Sequence, residues 1–316
     1  SAEGDVLVGA DGVHSAVRAQ RLGTDAPVFT GCMAWRGLVS ADRLGGALMR
    51  PVGTNWIGPG GHVVHYPLRA GKLMNFVGVC MDQIVNHAAK LRFMSGGQTN
   101  VPLVIRTTTG VGVGFGGQHS DMLEAWFAHV AGLHVVTPSN AADAQGLMRS
   151  SIDCNDPVIF IENILCYGLK SEDPGPGYRV PLGKAAVARE GSDISVITYG
   201  RTVLDALAVA SELANEGISV EVIDLRSIAP YDEATVLASV RKTGRALTLH
   251  EAVRPFGTGA EIAANIQEKC WDSLKGPVRR IGGTFSPVPF ASVLEQAWIP
   301  NKQQIVDQIK ASMGRG

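Results

Sequence analysis

Short hydrophobic segments with alternating polar positions dominate the first 80 residues of the chain. The run Gly-Pro-Gly-Gly at 58–61 breaks this pattern as a turn would. Helical periodicity occurs only at residues 15–22, where Ser15 is placed to cap the helix. The alternation predicts strands over residues 5–9, 32–39, 62–68 and 72–79.

From residue 82 onward, helical and strand periodicities alternate, which predicts parallel sheets covered by helices. The stretch rich in Pro and Gly that ends at 183 indicates a linker, residues 169–183, between α/β domains over 80–168 and 184–316. Strands are predicted over residues 102–106, 134–137, 157–162, 194–199, 219–224 and 246–250. Helices are predicted over residues 84–94, 120–129, 141–151, 202–215, 232–242 and 257–268, with Ser120 as an N-cap and an apolar stripe of Val203, Leu207, Ala210 and Leu213.

Composition narrows the classes of partner. The 316 residues carry 28 Lys+Arg against 29 Asp+Glu, a net charge of −1, which argues against nucleic acid or an anionic membrane as the main partner. No apolar run reaches the roughly 18 residues that span a bilayer, and no secretory signal is visible. The five cysteines are scattered and never spaced as CxxC, which indicates reduced thiols in a cytoplasmic protein and no zinc site.

His119 is the ionisable residue that draws most interest, because it follows a run of glycines that we expect to form a mobile loop. An imidazole there could exchange a proton with a bound carbonyl, or it could be a surface or capping histidine. Gly112, Gly114 and Gly117 satisfy GxGxxG, but the predicted strand ends at Arg106 and no acidic residue follows at the ribose-binding distance. We interpret the other histidines as structural or solvated.

Two further segments have open interpretations. Gly9, Asp11, Gly12 and Arg18 could cradle a phosphate through backbone N–H groups, although the same pattern is common in β-turns. Residues 154–157 read as an ordinary turn before a strand, and turn carbonyls can also surround a monovalent cation.

Residues from about 76 to 316 resemble the β-subunits of thiamine-diphosphate-dependent 2-oxoacid dehydrogenases of the pyruvate and acetoin type. The similarity is carried by long segments such as DPVIFIE, VPLGKAAVAREG and GTGAEIAANI. It implies a transketolase-like pyrimidine domain, shortened at its start, and a transketolase C-terminal domain. It also implies thiamine diphosphate with Mg²⁺ shared with an α-subunit, an α2β2 assembly, and docking to a lipoyl acyltransferase core.

The resemblance also assigns roles to individual residues. It makes His119 catalytic in acyl transfer to lipoamide. It also implies a K⁺ site and an upstream glutamate that activates thiamine; no Glu lies between Glu3 and residue 84, so we expect impaired decarboxylation and an inactive isolated chain. The implied K⁺ ligands are the backbone carbonyls of Leu103, Ser151, Ile152, Cys154 and Asp156.

Residues 1–79 resemble an internal fragment of FAD-dependent aromatic hydroxylases of the salicylate hydroxylase type, on the segment GDVLVGADGVHSAVR. The resemblance implies a β-rich fragment in which Gly9, Asp11, Gly12 and Arg18 bind FAD, and a chain that joins two families. The alternatives to a dehydrogenase β-subunit are therefore an FAD-dependent aromatic-ring monooxygenase and a non-catalytic assembly subunit.

Overall fold

The computed structural model describes residues 35–40, 54–58, 61–68 and 73–314, with side chains from Met81 onward. Contacts divide the chain into two compact units, residues 1–84 and 85–316. The strand and helix predicted over 5–9 and 15–22 lie outside the described residues. So do the candidate positions Gly9, Asp11, Gly12 and Arg18.

A four-stranded antiparallel sheet forms the described part of the first unit, in the order β1-β4-β3-β2. Gly58 pairs with Gly61, so the chain reverses at the predicted Gly-Pro-Gly-Gly break. The β-rich flavin-enzyme fragment expected over residues 1–79 stays a prediction. The strands are β1 Trp35–Ser40, β2 Thr54–Gly58, β3 Gly61–Leu68 and β4 Leu73–Cys80.

A helical segment begins the first α/β region. A π-helical turn, Gln83–Ala88, leads into helix α1, Ala89–Met94, so the predicted helix over 84–94 is confirmed. The backbone of α1 passes so close to Gly132 that a Cβ there would lie 1.9 Å from the Ala89 carbonyl oxygen. Gly132 also has a φ of 98°, so glycine alone suits this contact.

Residues 85–316 contain two mainly parallel sheets, which are called the first and second sheets from here on. The first sheet has the order β11-β6-β7-β5, and its three main strands are parallel. Its strands are β5 Val104–Thr109, β6 His134–Val136, β7 Val158–Asn163 and β11 Ser227–Ala229. Strand β11 is contributed by the second α/β region and pairs antiparallel with β6. Helix α2 is Glu124–Ala128, and helix α3, Ala141–Ile152, begins where the Asn140 side chain accepts from the Asp143 N–H at 2.8 Å.

The second sheet has the order β13-β12-β9-β10-β8, parallel except for the edge strand β8. Its strands are β8 Ala186–Arg189, β9 Ile194–Thr198, β10 Val220–Asp224, β12 Ala246–Val253 and β13 Arg279–Gly283. The helices are α4 Thr202–Ala214, α5 Glu233–Thr243, α6 Thr258–Lys269, α7 Ser292–Trp298 and α8 Lys302–Ser312. Two mainly parallel sheets confirm the predicted α/β class.

Apolar side chains fill the space beside each sheet. The predicted stripe on α4 is confirmed, since Val203, Ala210 and Leu213 are buried in the core of the second sheet and Leu207 packs against it. The core of the first sheet includes Val180, which lies in the predicted linker and packs with Leu147 and Phe160. Burying such side chains stabilises the fold by about 1.5–3 kcal/mol each.

The predicted helix over 120–129 differs most from the structure. Helix α2 begins at Glu124, and Ser120 is not its cap. The carbonyls of Ser120 and Asp121 accept bonds from the Thr109 hydroxyl at 3.2 and 2.6 Å, so they point toward the end of β5 instead of along a helix. Among the described residues, no helix combines the length and apolar character needed to cross a membrane.

Candidate functional site

A glycine loop, residues 110–117, leaves β5 at the carboxyl edge of the first sheet. Gly110, Gly112, Gly114 and Gly116 all have positive φ, from 64° to 130°. L side chains rarely adopt these angles, so the path of the loop depends on glycine. The Phe290 ring also packs against the loop, and a Cβ on Gly116 would lie 2.3 Å from that ring.

Two carboxylates from the second α/β region anchor the glycine loop. Glu251 accepts from the Val111 N–H, and Glu295 accepts from the N–H groups of Gly112 at 2.8 Å and Gly114 at 3.2 Å. Both glutamates are only 2% exposed. Burial raises the pKa of Glu251, and the bond from Val111 opposes that shift. The loop that we expected to be mobile is therefore tied to the scaffold by charge-assisted hydrogen bonds.

The GxGxxG pattern does not form a dinucleotide loop here, although the reason differs from the predicted one. Strand β5 continues to Thr109, three residues closer to the loop than predicted. The N–H groups of Gly112 and Gly114 instead donate to Glu295, and the next helix begins only at Glu124. Backbone donors that already hold a carboxylate are not free to cradle a phosphate.

His119 follows the loop after a single 3-10 turn, Gly116–Gln118. Its side chain is exposed, whereas the next residue, Ser120, is fully buried. The buried neighbour and the anchored loop fix the backbone on either side of His119. The imidazole is thus presented at the surface from a defined position.

An apolar cavity of about 580 Å³ is lined by Gly117 and Asp121, two residues to either side of His119, which is not itself a lining residue. One wall is formed by residues 117–126 and the other by segments around 252–257 and 285–287. Trp126, Phe256 and Phe285 at its rim are 63%, 90% and 70% exposed. Exposed aromatic rings around a concave surface are typical of a binding or subunit contact.

A buried hydrogen bond links helix α2 to the residue that follows strand β9 of the second sheet. Tyr199 donates its hydroxyl to Glu124, and Thr258 lies 3.1 Å from the same hydroxyl. Burial raises the pKa of Glu124 to about 7. Its other oxygen is buried without a hydrogen-bond partner, which suits a neutral carboxyl better than a carboxylate.

His250 is a structural histidine, one of the two roles predicted for the histidines other than His119. Its ring stacks on Tyr199 at 6.2 Å and its Nδ1 bonds the Ala252 carbonyl at 3.0 Å. Burial lowers the pKa of His250 to about 4, so the ring is neutral near pH 7. A Cβ on Gly257 or on Gly259 would lie 2.7 or 2.8 Å from the His250 ring, so the absence of side chains at both positions makes space for the ring.

The residues predicted to bind K⁺ gather at the opposite, amino edge of the first sheet. The Leu103 carbonyl accepts from the Val158 N–H at 2.8 Å, and the Ser151 carbonyl accepts from the Cys154 N–H at 3.3 Å. Ile152 and Asp156 lie in the same 151–156 segment. Strand β5 separates this edge from the glycine loop by about 17 Å, at about 3.3 Å per residue. Ligation of an ion there stays a prediction.

Sequence reasoning missed several polar residues with structural or chemical potential. Glu124, Glu251 and Glu295 come from separate segments, and no local spacing relates them to the glycine loop. At the amino edge, His134 lies with the side chains of Cys154 and Asp156. The only signal in the sequence was that His134 begins one predicted strand and that Cys154 and Asp156 immediately precede another.

Two family models match the chain. The transketolase pyrimidine-binding domain matches residues 62–167, and the transketolase C-terminal domain matches residues 183–305. The first match begins within the segment that we compared with flavin enzymes, and the predicted boundary near residue 80 stays a prediction.

Named relatives refine this assignment. Over 250 residues the chain is 41% identical to the β-subunit of acetoin:2,6-dichlorophenolindophenol oxidoreductase from Cupriavidus necator, covering 79% of this chain and 74% of that protein. The chain belongs to this β-subunit family. Another member, pyruvate dehydrogenase E1 component subunit beta-1 of Arabidopsis thaliana, is 45% identical over 75% of this chain. The chain spans 66% of that relative, just under two-thirds of its length.

A bacterial member of the β-subunit family and a solved structure complete the comparison. The pyruvate dehydrogenase E1 component subunit beta of Staphylococcus epidermidis is 42% identical over 78% of this chain and 76% of its own length. A split-gene transketolase, described as an inactive β4 tetramer, has a TM-score of 0.60 and 21% identity. The match covers 74% of this chain and 71% of the transketolase chain, and at 21% identity it supports only the assignment of the fold.

Proposed function

We propose that the chain acts as a β-subunit in a thiamine-diphosphate-dependent 2-oxoacid dehydrogenase, which decarboxylates a 2-oxoacid oxidatively and transfers the acyl group to lipoamide. The observation that carries this proposal is the exposed imidazole of His119 at the end of a glycine loop held by two buried carboxylates. Relatives named as β-subunits of pyruvate dehydrogenase E1 and of an acetoin oxidoreductase support the reaction class.

His119 is the proposed catalytic residue. A neutral imidazole donates from one ring nitrogen and accepts at the other, so it can hydrogen-bond an acyl oxygen and exchange a proton at the same place. Thiamine diphosphate, when bound, supplies the nucleophilic carbon that attacks the 2-oxo carbon. The contribution of this chain is to present the exposed imidazole from an anchored loop.

Glu124 does not fit the role of the glutamate that activates thiamine. Glu124, the first glutamate after Glu3, is fully buried and engaged by Tyr199. A carboxyl sealed in this way has no access to a cofactor ring, so we assign no step of decarboxylation to it. We therefore expect no turnover from the isolated chain. An α-subunit in an α2β2 assembly would hold the diphosphate and Mg²⁺.

A K⁺ ion is proposed at the amino edge of the first sheet. The expected ligands are five backbone carbonyls, a type of ligand that suits a hard cation. The Val101 N–H donates to the Asn155 carbonyl at 2.9 Å, and this bond ties the chain just before Leu103 to the 151–156 segment. The expected ligands are Leu103, Ser151, Ile152, Cys154 and Asp156.

The exposed aromatic rim of the cavity supports the proposal that a partner subunit binds there. Trp126, Phe256 and Phe285 would leave water on association, which is the usual role of exposed aromatic patches. We propose the dehydrogenase α-subunit as that partner, docking of the assembly to a lipoyl acyltransferase core, and a cytoplasmic location.

Two alternatives remain as proposals. A non-catalytic assembly subunit is favoured by the burial of Glu124. An FAD-dependent aromatic-ring monooxygenase rests on the resemblance of residues 1–79, whose FAD-binding positions lie outside the described residues.

Calorimetric titration separates these functions. The purified chain is titrated with FAD, and separately with thiamine diphosphate, Mg²⁺ and K⁺, before and after a cognate-type α-subunit is added. We expect thiamine diphosphate to bind only in the presence of the α-subunit. FAD binding by the chain alone would favour the monooxygenase, and binding in neither arm would favour the assembly subunit.

Substitution of His119 tests its role within the assembled complex. His119→Ala should lower acyl transfer to lipoamide by about 10²–10⁴-fold, the usual contribution of a positioned acid or base. Replacement of exposed His129 by Ala, outside the loop, is the control. Equal acyl transfer by the His119→Ala complex and the control would remove His119 from the mechanism.

A further inference from the structure

A mixed cluster of metal-binding side chains lies at the amino edge of the first sheet. The ligating atoms of His134, Cys154 and Asp156 all lie within 4.8 Å of one another, and each residue is half-buried. The His134 Nε2 is 3.9 Å from the Asp156 Oδ2. Imidazole, thiolate and carboxylate are together the ligand set of a borderline-soft divalent cation.

The sheet itself brings these three side chains together. Strands β6 and β7 are parallel neighbours, and the His134 N–H donates to the Pro157 carbonyl at 2.9 Å. Helix α3 ends at Ile152, which leaves Cys154 and Asp156 in the turn before β7. The positions of the ligands therefore follow from strand pairing and not from an exposed flexible segment.

No hydrogen bond holds the imidazole of His134 in one orientation. Its Nε2 faces Asp156 but lies 3.9 Å from the Oδ2, too far for a hydrogen bond. Its Nδ1 is buried without a hydrogen-bond partner. The Cys154 sulfur accepts one hydrogen bond, from the Asp156 N–H at 3.4 Å, and a sulfur with further lone pairs can still ligate a metal.

We propose that His134, Cys154 and Asp156 bind a thiophilic divalent cation such as Zn²⁺, with water as the fourth ligand. Tetrahedral coordination with metal–ligand distances near 2.0–2.3 Å places ligand atoms roughly 3.5 Å apart. Atoms within 4.8 Å of one another must approach by about 1 Å, which side-chain rotation supplies.

The Arg92 guanidinium would compete with this cation for the Asp156 carboxylate. The guanidinium bonds that carboxylate at 2.6 Å. The carboxylate has a second oxygen, so it can ligate a metal, but the two cations repel each other across it. Removal of the guanidinium should therefore tighten metal binding.

The proposed site is separate in chemistry from the K⁺ site expected in the same turn. K⁺ would use backbone carbonyls, which a change of side chain at 154 leaves in place. A Zn²⁺-type ion requires the thiolate itself. The inference goes beyond the proposed function and holds whether or not the chain supports decarboxylation.

Cobalt absorption tests the site on the purified full chain, made metal-free and kept reduced with a phosphine. Co²⁺ should bind in a 1:1 ratio with a thiolate-to-cobalt charge-transfer band, and added Zn²⁺ should remove the band. Cys154→Ser should abolish the band and His134→Gln should weaken binding at least 10-fold. Cys166→Ser, a second half-buried cysteine, should leave both unchanged.

Arg92→Gln completes the test, because it should lower the dissociation constant for Co²⁺ at least three-fold if the ion contacts Asp156. A Cys154→Ser protein that melts like the parent but retains the charge-transfer band would place the metal on another cysteine and overturn the proposal. Absence of the band in the folded parent would overturn it as well.

Discussion

The two sheets of residues 85–316 share one strand–helix alternation but differ in how far they are self-contained. The core of the second sheet is drawn from residues 194–309, within its own segment. The first sheet takes its edge strand β11 from residues 227–229 of the second region. Its glycine loop is likewise held by Glu251 and Glu295. The first sheet thus reaches its form only when the second is present.

This difference assigns function and support to different regions. The proposed catalytic His119 and the half-buried cluster around Cys154 both lie on the first sheet, whereas the second supplies buried anchors. Loops positioned by a rigid scaffold commonly carry functional groups. Here the scaffold includes a neighbouring sheet, so substitutions that destabilise the second sheet should also disturb the glycine loop on the first sheet.

The largest expected effect tests whether the sheets unfold together. Phe160→Ala in the first core should cost about 3–5 kcal/mol and Leu247→Ala in the second about 2–5 kcal/mol, through cavity formation. Because the sheets interlock, each variant should shift one shared calorimetric transition of residues 85–316. A first-sheet transition that moves alone in Phe160→Ala would show that the sheets are independent.

A smaller loss is expected when one anchor is removed. Glu251→Ala leaves the Val111 N–H and the Asn163 amide, bonded to Glu251 at 2.8 Å, without their acceptor. Two buried donors without partners should cost about 2–4 kcal/mol, measured by urea unfolding. Glu251→Gln retains one carbonyl acceptor and should lose less. Equal losses in the two variants would contradict the anchoring role.

The buried Glu124–Tyr199 bond predicts a pH dependence. The folded pKa of Glu124, about 7, exceeds its ordinary value of 4.5, so the folded protein holds the proton more tightly. This stabilisation is complete below about pH 4.5 and is lost as the pH rises through about 7. Its total is of the order of 3 kcal/mol.

Glu124→Gln should remove that dependence, because the amide keeps an acceptor for Tyr199 but does not titrate. The free energy of unfolding is measured for parent and variant from pH 4.5 to 8, and their difference is compared. His250 is present in both proteins, so its contribution cancels in the difference. That contribution rises with pH, opposite to the contribution of Glu124, because the folded pKa of His250 is lowered to about 4. Parallel pH profiles would show that Glu124 is ionised throughout.

The smallest effect concerns the glycine loop alone. Gly116→Ala places a methyl group against the Phe290 ring in a backbone with a φ of 64°, so a cost of about 1–3 kcal/mol is expected. Gly168→Ala, where no atom lies within 4 Å of the new methyl group, should stay within about 0.5 kcal/mol of the parent. Thermal melts of both proteins provide the measurement, and equal melting temperatures would show that the loop tolerates the change.

Sequence patterns predicted most of the elements that have strong local periodicity. Helix α4 and strands β7 and β9 lie within one or two residues of their predicted bounds. The predicted start of helix α2 was wrong because the carbonyls of Ser120 and Asp121 accept hydrogen bonds from Thr109 at the end of β5, a contact between segments that periodicity does not encode. Strand β11, three residues long, offered no pattern to detect.

The sequence by itself determined the alternation of strands and helices, the glycines that permit the loop before His119, and membership of the β-subunit family. Tertiary structure alone decided which carboxylates hold that loop and that His134 meets Cys154 and Asp156. The reason is physical: periodicity and glycine conformations act within a few residues. Buried hydrogen bonds and ligand clusters join residues that are 20 to 180 positions apart, and only packing brings these together.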